Sequence, residues 1–498
     1  MSKRAHLLPF LFAGLFWASF HPLNLGFLSW VALVPLIVYA RIAPGAKPFF
    51  VAWLAGAAAF TAGFFWVRYT VPAGPVLLGV YKGLFVAVFV VLVRRLGVLW
   101  APAAWVALEY LRSVLFGGLP WFLLGYAQHE SLLLIQAADL GGAWIVSALV
   151  AFVNAALVDG RRAARWGAAG ALAASLAYGA VRVGTVPVRE GPLLALVQPN
   201  IPQDIKLPMG KEEERKESIY RKHAEMTVRA AEGKPDLVVW PEAAIYEGLL
   251  WNTERKEWVR DSWYFRMTAL PRQTGVPLLA GLLIVEGSPG SRPAFTNSAV
   301  HLSGAGEVAA RYDKVHLVPF AEFIPLARTF PWLRDLVYRF SGLRLSDMRA
   351  GEEFPVWEAG GARYGVQICF EGIFPEISRE IARKGAGFSV NISNDGWFRD
   401  SAELDQMLAM ARFRAIENRM GFVRATNTGI SAFIEPTGRM HAVIEGKEKE
   451  GILAARVRCG GGWSLWRAWG AWAGWLAMGA VCGGGGVRFF VDRKKRVA

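Results

Sequence analysis

Gly365-Val366-Gln367-Ile368-Cys369-Phe370-Glu371-Gly372-Ile373-Phe374-Pro375 is the stretch around which the rest of the chain is organised. Its apolar run, Val366 to Ile368, predicts a buried strand with a Gly/Pro turn behind it. The strand ends on a thiol, and a carboxylate follows two residues later. A lone cysteine in a strand is more often a small hydrophobe than a reactive group. A thiolate, however, is among the best biological nucleophiles, and a thioester splits one hard acyl transfer into two easier steps. The choice between the two depends on what the chain can place beside the thiol.

Two upstream stretches decide it. Val238-Val239-Trp240-Pro241-Glu242 ends a strand with a carboxylate fixed just after a proline. Arg311-Tyr312-Asp313-Lys314-Val315-His316-Leu317-Val318-Pro319-Phe320 presents Lys314, followed by Ala321-Glu322-Phe323-Ile324-Pro325. Singly, Glu242 reads as a helix cap, Lys314 as a surface base and Glu322 as a salt-bridge partner. With Cys369 they form a chemically complete set. A carboxylate takes the thiol proton and later acts as acid or base. An ammonium lowers the thiol pKa and stabilises the oxyanion of a tetrahedral intermediate.

The chain around these motifs is too apolar for an ordinary soluble protein: 498 residues, 54% hydrophobic, mean hydropathy +0.30. Its net charge of +15 does not indicate nucleic acid, because of where it falls. Residues 1–189 carry 14 basic and four acidic side chains, and residues 460–498 carry six and one. Residues 190–459 balance at 35 of each. The excess therefore flanks apolar segments, which is a membrane-topology pattern. Three cysteines, Cys369, Cys459 and Cys482, make neither a disulfide framework nor a CxxC pair.

Spans are expected at Leu7–Phe20, Leu25–Ala40, Phe49–Val67, Pro75–Val93, Gly97–Leu111, Leu140–Val158, Trp166–Val183 and Ala468–Val487. The first has no small-x-small cleavage site after it and reads as an uncleaved span. Basic clusters come after every second span: Lys3/Arg4, Arg41/Lys47, Arg94/Arg95, Arg161/Arg162/Arg165 and Arg488 to Arg496. With all five in the cytoplasm, both termini lie inside and residues 190–459 outside. Lys82 lies within a span and is most simply read as snorkelling or paired inside the bundle. Phe116 to Phe122, broken by Gly and Pro, reads as an interfacial or re-entrant loop on the outer side.

The expected architecture is thus a polytopic bundle of about eight helices, seven within 1–189 and the eighth with a basic tail in 460–498. An α/β domain occupies 190–459. Its strands are expected at Leu193–Gln198, Asp236–Trp240, Val276–Val285, Asn297–Leu302, Tyr364–Ile368, Phe388–Ile392, Gly421–Ala425 and Ile430–Ile434. Helices are expected at Lys211–Glu232 and Asp405–Arg419. The aromatic stretches Phe330 to Leu333 and Leu336 to Tyr338 are either packed inside the domain or a lid on the membrane surface. The sequence has no Gly-rich phosphate loop in a nucleotide-binding context and no metal-ligand cluster.

The three motifs, in order and in these contexts, resemble the nitrilase superfamily with its Glu-Lys-Cys triad. Ser393-Asn394-Asp395-Gly396-Trp397-Phe398 and Arg424-Ala425-Thr426-Asn427-Thr428-Gly429 also look like that superfamily. The implied fold is an α-β-β-α sandwich. With the spans added, the chain resembles the apolipoprotein N-acyltransferase family of Gram-negative-type bacteria. That family places a nitrilase-like periplasmic domain between its seventh and eighth inner-membrane spans. Glu109-Tyr110-Leu111-Arg112, Leu119-Pro120-Trp121 and Gln198-Pro199-Asn200-Ile201-Pro202-Gln203 belong to the same resemblance.

The resemblance implies ping-pong acyl transfer without a cofactor. Cys369 attacks the sn-1 ester of a phospholipid, phosphatidylethanolamine by expectation. The acyl chain then passes to the α-amine of a diacylglyceryl-cysteine at an apolipoprotein's N-terminus. Glu242 is the expected base and Lys314 the oxyanion stabiliser. Glu322 and Glu371 are expected to orient the lysine and the incoming groups, with the Phe370 amide helping to hold the oxyanion. Trp240, Asn394, Trp397 and Leu207 are the substrate-contact candidates; the family often has a tryptophan near Leu207. A monomer is expected. The rival reading is a membrane-tethered amidohydrolase with the same triad, and a transporter carrying an inactive nitrilase-like domain is a more distant one.

Overall fold

The computed structural model describes residues 3–43, 47–202, 212–288, 293–325, 327, 329–332, 335, 339 and 348–497. The chain divides into two compact units. One comprises Pro187–Asp400 and Met420–Gly462, and the other Met1–Val186, Ser401–Arg419 and Trp463–Ala498.

The α/β unit holds fourteen described strands. They are β1 (Arg189–Gln198), β2 (Leu237–Val239), β3 (Ile245–Asn252), β4 (Glu257–Trp258), β5 (Leu278–Gly287), β6 (Ala294–Leu302) and β7 (Val308–Asp313). After these come β8 (Val356–Ala359), β9 (Ala362–Ile368), β10 (Phe388–Ser393), β11 (Gly421–Thr426), β12 (Ala432–Ile434), β13 (Met440–Val443) and β14 (Gly451–Cys459). An eight-stranded sheet runs β14-β1-β2-β5-β3-β4, with β6 pairing β5 and β7 pairing β6. A six-stranded sheet runs β13-β12-β11-β10-β9-β8.

Side-chain alternation makes the layers. Leu194, Leu196, Leu237, Val239 and Leu279 of the first sheet meet Tyr364, Val366, Ile368, Phe388, Val390, Ile392 and Val423 of the second in one buried core. The intervening residues Ala195, Val197, Val238, Trp240 and Ala280 point the other way. They pack with Ile219 and Met226 of helix Glu212–Ala231 and with Met267 and Leu270 of helix Ser262–Thr274. On the second sheet Gly365 leaves room for Ile381 of helix Pro375–Arg383, since a Cβ there would lie 2.5 Å from its side chain. All eight expected strands are found within a few residues of the expected bounds. β3, β4, β7, β8, β13 and β14 were not expected.

The other unit is helical. Its longer elements are Leu8–Ala18, Val34–Ile42, Lys47–Gly63, Gly74–Leu96, Ala101–Val114, Ala143–Asp159, Arg162–Thr185 and Trp472–Val497. Among the described residues Gly74–Leu96 is long and apolar enough on its own to cross a bilayer. Leu132–Gly141 and Ala143–Asp159 qualify as a pair bent by 118°. The unit also exposes large apolar side chains, including Phe27, Phe50, Leu77, Trp166 and Trp475. Helix Ala402–Asn418, expected in the α/β domain because it lies between two of its strands, packs in this unit instead.

Lys82 is fully buried, and its Nζ donates to the Leu119 carbonyl at 2.7 Å. Arg112 donates to the Trp121 carbonyl at 3.1 Å and the Phe122 carbonyl at 2.6 Å, while Glu109 accepts from the Leu124 amide at 2.6 Å. These bonds hold a segment that turns through positive φ at Phe116, Gly117, Gly118 and Phe122, leaving Phe116 86% exposed.

Candidate active site

The site stands where strand ends from both sheets meet. β2 ends at Val239, and the chain turns so that Glu242 follows Pro241 and Ala243 takes φ +46°. β5 approaches this turn closely: a Cβ on Gly281 would lie 2.3 Å from the Pro241 carbonyl and 2.7 Å from Glu242 Cα. Only a glycine there lets the turn settle where it does. β7 ends at Asp313, which delivers Lys314, and the Lys314 amide donates to the Asn297 carbonyl on β6 at 2.8 Å. From the other sheet β9 ends at Ile368, and Cys369 opens a tight 3-10 turn with φ +52°. Left-handed geometry at a non-glycine residue costs energy and persists only where its surroundings enforce it.

Glu371 supplies much of that enforcement. It is fully buried, and one oxygen accepts from the Ile368 amide at 2.7 Å. The other accepts from the amides of Val315 at 2.8 Å and His316 at 3.0 Å. The Tyr312 hydroxyl also donates to this carboxylate, at 2.7 Å. Glu371 therefore pins the thiol-bearing turn to the segment that carries the lysine. Its hydrogen bonds go to these backbone amides and to Tyr312 rather than to the Lys314 ammonium. Burial pushes the Glu371 carboxyl above its usual range, while the amides of His316 and Ile368 oppose that shift. Burial and the Glu371 charge hold the Tyr312 phenol well above its own.

Lys314 is 1% exposed, and its Nζ donates to Glu322 Oε1 at 2.8 Å and to Glu242 Oε1 at 3.3 Å. Burial alone would drive the ammonium to lose its proton, but the two carboxylates outweigh it and raise the lysine above its ordinary value. Asn297 ties the carboxylates together, donating to Glu242 Oε1 at 2.8 Å and to Glu322 Oε1 at 2.9 Å. The second Glu242 oxygen accepts from the Asn394 amide at 3.0 Å, and the second Glu322 oxygen from the Val318 amide at 2.8 Å. The structure thus places Glu322 against the lysine, hydrogen-bonded to its ammonium.

Cys369 is partly exposed. Burial of its surroundings and the Glu242 charge push the thiol well above the ordinary cysteine range. The Lys314 charge and a hydrogen bond with Ser393 pull it down, and they do not prevail. The expectation that the lysine lowers the thiol pKa therefore holds for direction only. The Glu242 carboxylate is the charge that most opposes ionisation of the thiol.

The remaining candidates divide. Asn394 is buried; its amide serves Glu242, and its Oδ1 accepts from Asn427 Nδ2 at 3.0 Å. Trp397 lies partly buried in the turn Asp395–Phe398 after β10. Phe370 is partly exposed and packs edge-on against Phe374, with ring centroids 5.0 Å apart. Trp240 is no substrate contact. It is fully buried on the helix side of the first sheet, where its indole N–H donates to the Thr227 hydroxyl at 2.8 Å. Two residues before Glu242, it occupies the face opposite the inter-sheet core. Leu207 lies outside the described residues, as do Leu333 and Leu336 to Tyr338; Phe330 and Trp332 are exposed.

Sequence reasoning missed Asn297 and the role of Asn391, whose Nδ2 donates to the Cys369 carbonyl at 3.1 Å and whose Oδ1 accepts from Arg424 at 3.0 Å. The available signal was a polar residue inside a buried strand, which is costly unless partnered. Among the described residues no group of three or more His, Cys, Asp or Glu could hold a metal ion.

A two-sheet sandwich with a carboxylate, an ammonium and a thiol at adjoining strand ends defines a carbon-nitrogen hydrolase-type domain. Residues 193–462 match the carbon-nitrogen hydrolase family, and residues 12–156 match the apolipoprotein N-acyltransferase N-terminal domain. An apolipoprotein N-acyltransferase from Geobacter metallireducens is 34% identical over 494 residues, covering 93% of this chain and 91% of that protein. Another from Methylococcus capsulatus is 34% identical over 385 residues, covering 76% and 71%. The crystal structure of Saccharomyces cerevisiae Nit3, a member of branch 10 of the nitrilase superfamily, is 19% identical. It covers 54% of this chain and 91% of its own, with a TM-score of 0.41. The chain belongs to the apolipoprotein N-acyltransferase family.

Proposed function

We propose that this protein N-acylates apolipoproteins at the α-amine of their N-terminal diacylglyceryl-cysteine, taking the acyl chain from a phospholipid through a thioacyl-Cys369 intermediate. The observation that carries this reading is the buried Glu242–Lys314–Glu322 cluster beside a partly exposed thiol. It sits in a chain whose other unit exposes apolar side chains suited to lipid.

In the first half-reaction Glu242 takes the Cys369 proton as sulfur attacks the sn-1 ester carbonyl. Negative charge develops on the carbonyl oxygen, and the Lys314 ammonium stabilises it, aided by the Phe370 amide. The intermediate collapses with cleavage of the ester C–O bond. Glu242 returns its proton to the departing lysophospholipid oxygen, leaving the thioester. In the second, the α-amine attacks the thioester carbonyl and gives a proton to Glu242. The C–S bond breaks, and the sulfur recovers the proton. Cys369, Glu242 and Lys314 are the reacting groups, Glu322 and Glu371 are positioning groups, and Trp397 is a proposed substrate contact.

The helical unit is proposed to cross the bacterial inner membrane eight times, with both termini in the cytoplasm and the α/β unit in the periplasm. Phosphatidylethanolamine is the proposed donor, and the monomer the working form. Both substrates are lipids, so holding the site at the membrane surface converts a search in solution into a fixed geometry. An apolar mouth would protect the thioester from water.

Intact-protein mass spectrometry after incubation with phosphatidylethanolamine tests the reading, beside a Cys369→Ala control. The expected result is a fatty-acyl adduct on the wild type alone, removed by a diacylglyceryl-cysteine peptide. No adduct, or one that water clears as fast as the peptide does, would favour the amidohydrolase.

A further inference from the structure

β9 and β10 are parallel neighbours, with Ile368 opposite Ile392. One step beyond that pair stand Cys369 and Ser393, so the two strand ends bring a thiol and a hydroxyl together, and the two are hydrogen-bonded. Ser393 is fully buried, and its Oγ also donates to Asp395 Oδ1 at 2.6 Å. A hydroxyl has one proton and cannot give it to both partners at once. We infer that Ser393 is a further catalytic residue: its proton lies on Asp395 while the sulfur is a thiol, and turns to the sulfur when the sulfur is charged.

Asp395 is built to let that proton go. It is buried, and the equally buried Arg424 donates to its Oδ2 at 2.5 Å. Ser393 and Arg424 use different oxygens, so the carboxylate keeps its guanidinium whichever way the hydroxyl turns. Just past β11, Gly429 lies so close to Asp395 Oδ2 that a Cβ there would overlap it. The same guanidinium also reaches the main chain of the cysteine. It donates to Asn391 Oδ1 at 3.0 Å, and Asn391 Nδ2 donates to the carbonyls of Cys369 at 3.1 Å and Gln367 at 3.3 Å. One buried ion pair thus stands behind both the side chain and the backbone of the nucleophile. Such a pair adds little stability over apolar residues of the same volume, so holding a polar chain against the sulfur is the better account of it.

The charged groups that bear on the thiol are Glu242, Lys314 and Asp395; the carboxylates disfavour the thiolate and the ammonium favours it. With the sulfur protonated, its S–H donates to Ser393 Oγ, whose own proton rests on Asp395. As the S–H proton leaves for Glu242 in the first half-reaction proposed above, the hydroxyl turns and donates to the sulfur. No covalent bond is made or broken in this turn, and Ser393 keeps its proton. When an amine or water attacks the thioester, the same O–H meets the sulfur as the C–S bond breaks. A hydrogen bond to a charged partner is about twice as strong as a neutral one, so the turn stabilises the thiolate in preference to the thiol.

The inference rests on Cys369 being the nucleophile, as proposed above, and holds for transferase and hydrolase alike. Its test uses the full-length protein in phospholipid-free detergent, with Cys369 alkylation by iodoacetamide followed by peptide mass spectrometry at one pH below the midpoint. Ser393→Ala should alkylate about three- to tenfold more slowly. Once phosphatidylethanolamine is added, it should also form thioacyl-enzyme about tenfold more slowly. Asp395→Asn should alkylate faster, because it removes a charge that opposes the thiolate and its new amide can donate to Ser393 Oγ, committing the hydroxyl to the sulfur. Both variants lose a buried bond and should melt lower; opposite signs in alkylation are what a merely structural role would not give. In the Ser393→Ala background the gain from Asp395→Asn should shrink. A gain of equal size with and without the hydroxyl, a slower Asp395→Asn, or an unchanged Ser393→Ala would each overturn the inference. Should Asp395→Asn not fold, Ser393→Thr takes its place: keeping the hydroxyl, it should alkylate like the wild type, and a rate as slow as that of Ser393→Ala would count as failure. Were the wild type to form no acyl-enzyme, the transferase would fall while the alkylation comparison still decided the role of Ser393.

Discussion

In the helical unit Asp139 accepts from Tyr178 at 2.7 Å, Arg182 at 2.9 Å and Arg419 at 2.6 Å, and Arg112 is absorbed by two carbonyls and Glu109. In the α/β unit Lys314 faces Glu242 and Glu322 beside a thiol that solvent reaches. Both regions bury charge, which is expensive unless paired. In the first, the pairing ends in closed networks that hold segments together. In the second, the Glu242 charge acts on a thiol that solvent reaches. Buried charge alone therefore does not mark chemistry; the proposed chemistry needs a carboxylate beside an accessible thiol.

Substitutions on either side can break that contrast. The largest effect is expected from Cys369→Ala, which should abolish the acyl adduct, a loss of about 10⁶-fold or more in turnover. Glu242→Gln should slow thioacyl formation about 10²–10⁴-fold, measured by single-turnover mass spectrometry. It should also lower the pH midpoint of Cys369 alkylation, because it removes a negative charge that disfavours the thiolate. Lys314→Met should cost about 10²–10³-fold and move the midpoint the other way, since the lysine is the charge that favours the thiolate. In the wild type that midpoint should lie above about 8.5, the ordinary thiol value. A midpoint below it would mean the resting site holds a thiolate and Glu242 is not needed as base.

On the closed side, Asp139→Asn should cost about 3–5 kcal/mol by leaving buried arginines without their carboxylate, read as a lowered melting temperature. The smallest effect is expected from Tyr312→Phe, about 1 kcal/mol, because three backbone amides still hold Glu371. A large loss of rate in that variant would show that the contrast between holding groups and reacting groups is too sharp.

The parts of the fold readable from sequence were those with strong local signals. The strands delivering Glu242 and Cys369 are short apolar runs closed by Pro or Gly, so strand, end and reactive residue stand together in the chain. β8 and β14 carry polar or glycine residues along partly exposed strands, and the sequence of β3 is broken by Glu247-Gly248, so all three lack that signature. Proximity in sequence misled twice. Trp240 is two residues from Glu242 and faces the opposite side of its sheet, because alternation outranks adjacency. Glu371 is two residues from the thiol, yet the tight turn swings its carboxylate onto amides from elsewhere. Helix Ala402–Asn418 was placed by chain order, whereas its allegiance is set by partners such as Trp66, Tyr126 and Asp139, hundreds of residues away.

The thiol hangs from one sheet, and the carboxylates and lysine from the other. Neither sheet alone holds a reactive pair, and Glu242 and Cys369 are separated by more than a hundred residues of chain. Until the sandwich closes, the cysteine has neither the carboxylate nor the ammonium beside it. A nascent or partly unfolded copy is therefore chemically silent, and a membrane full of ester bonds is safe from it until folding is complete.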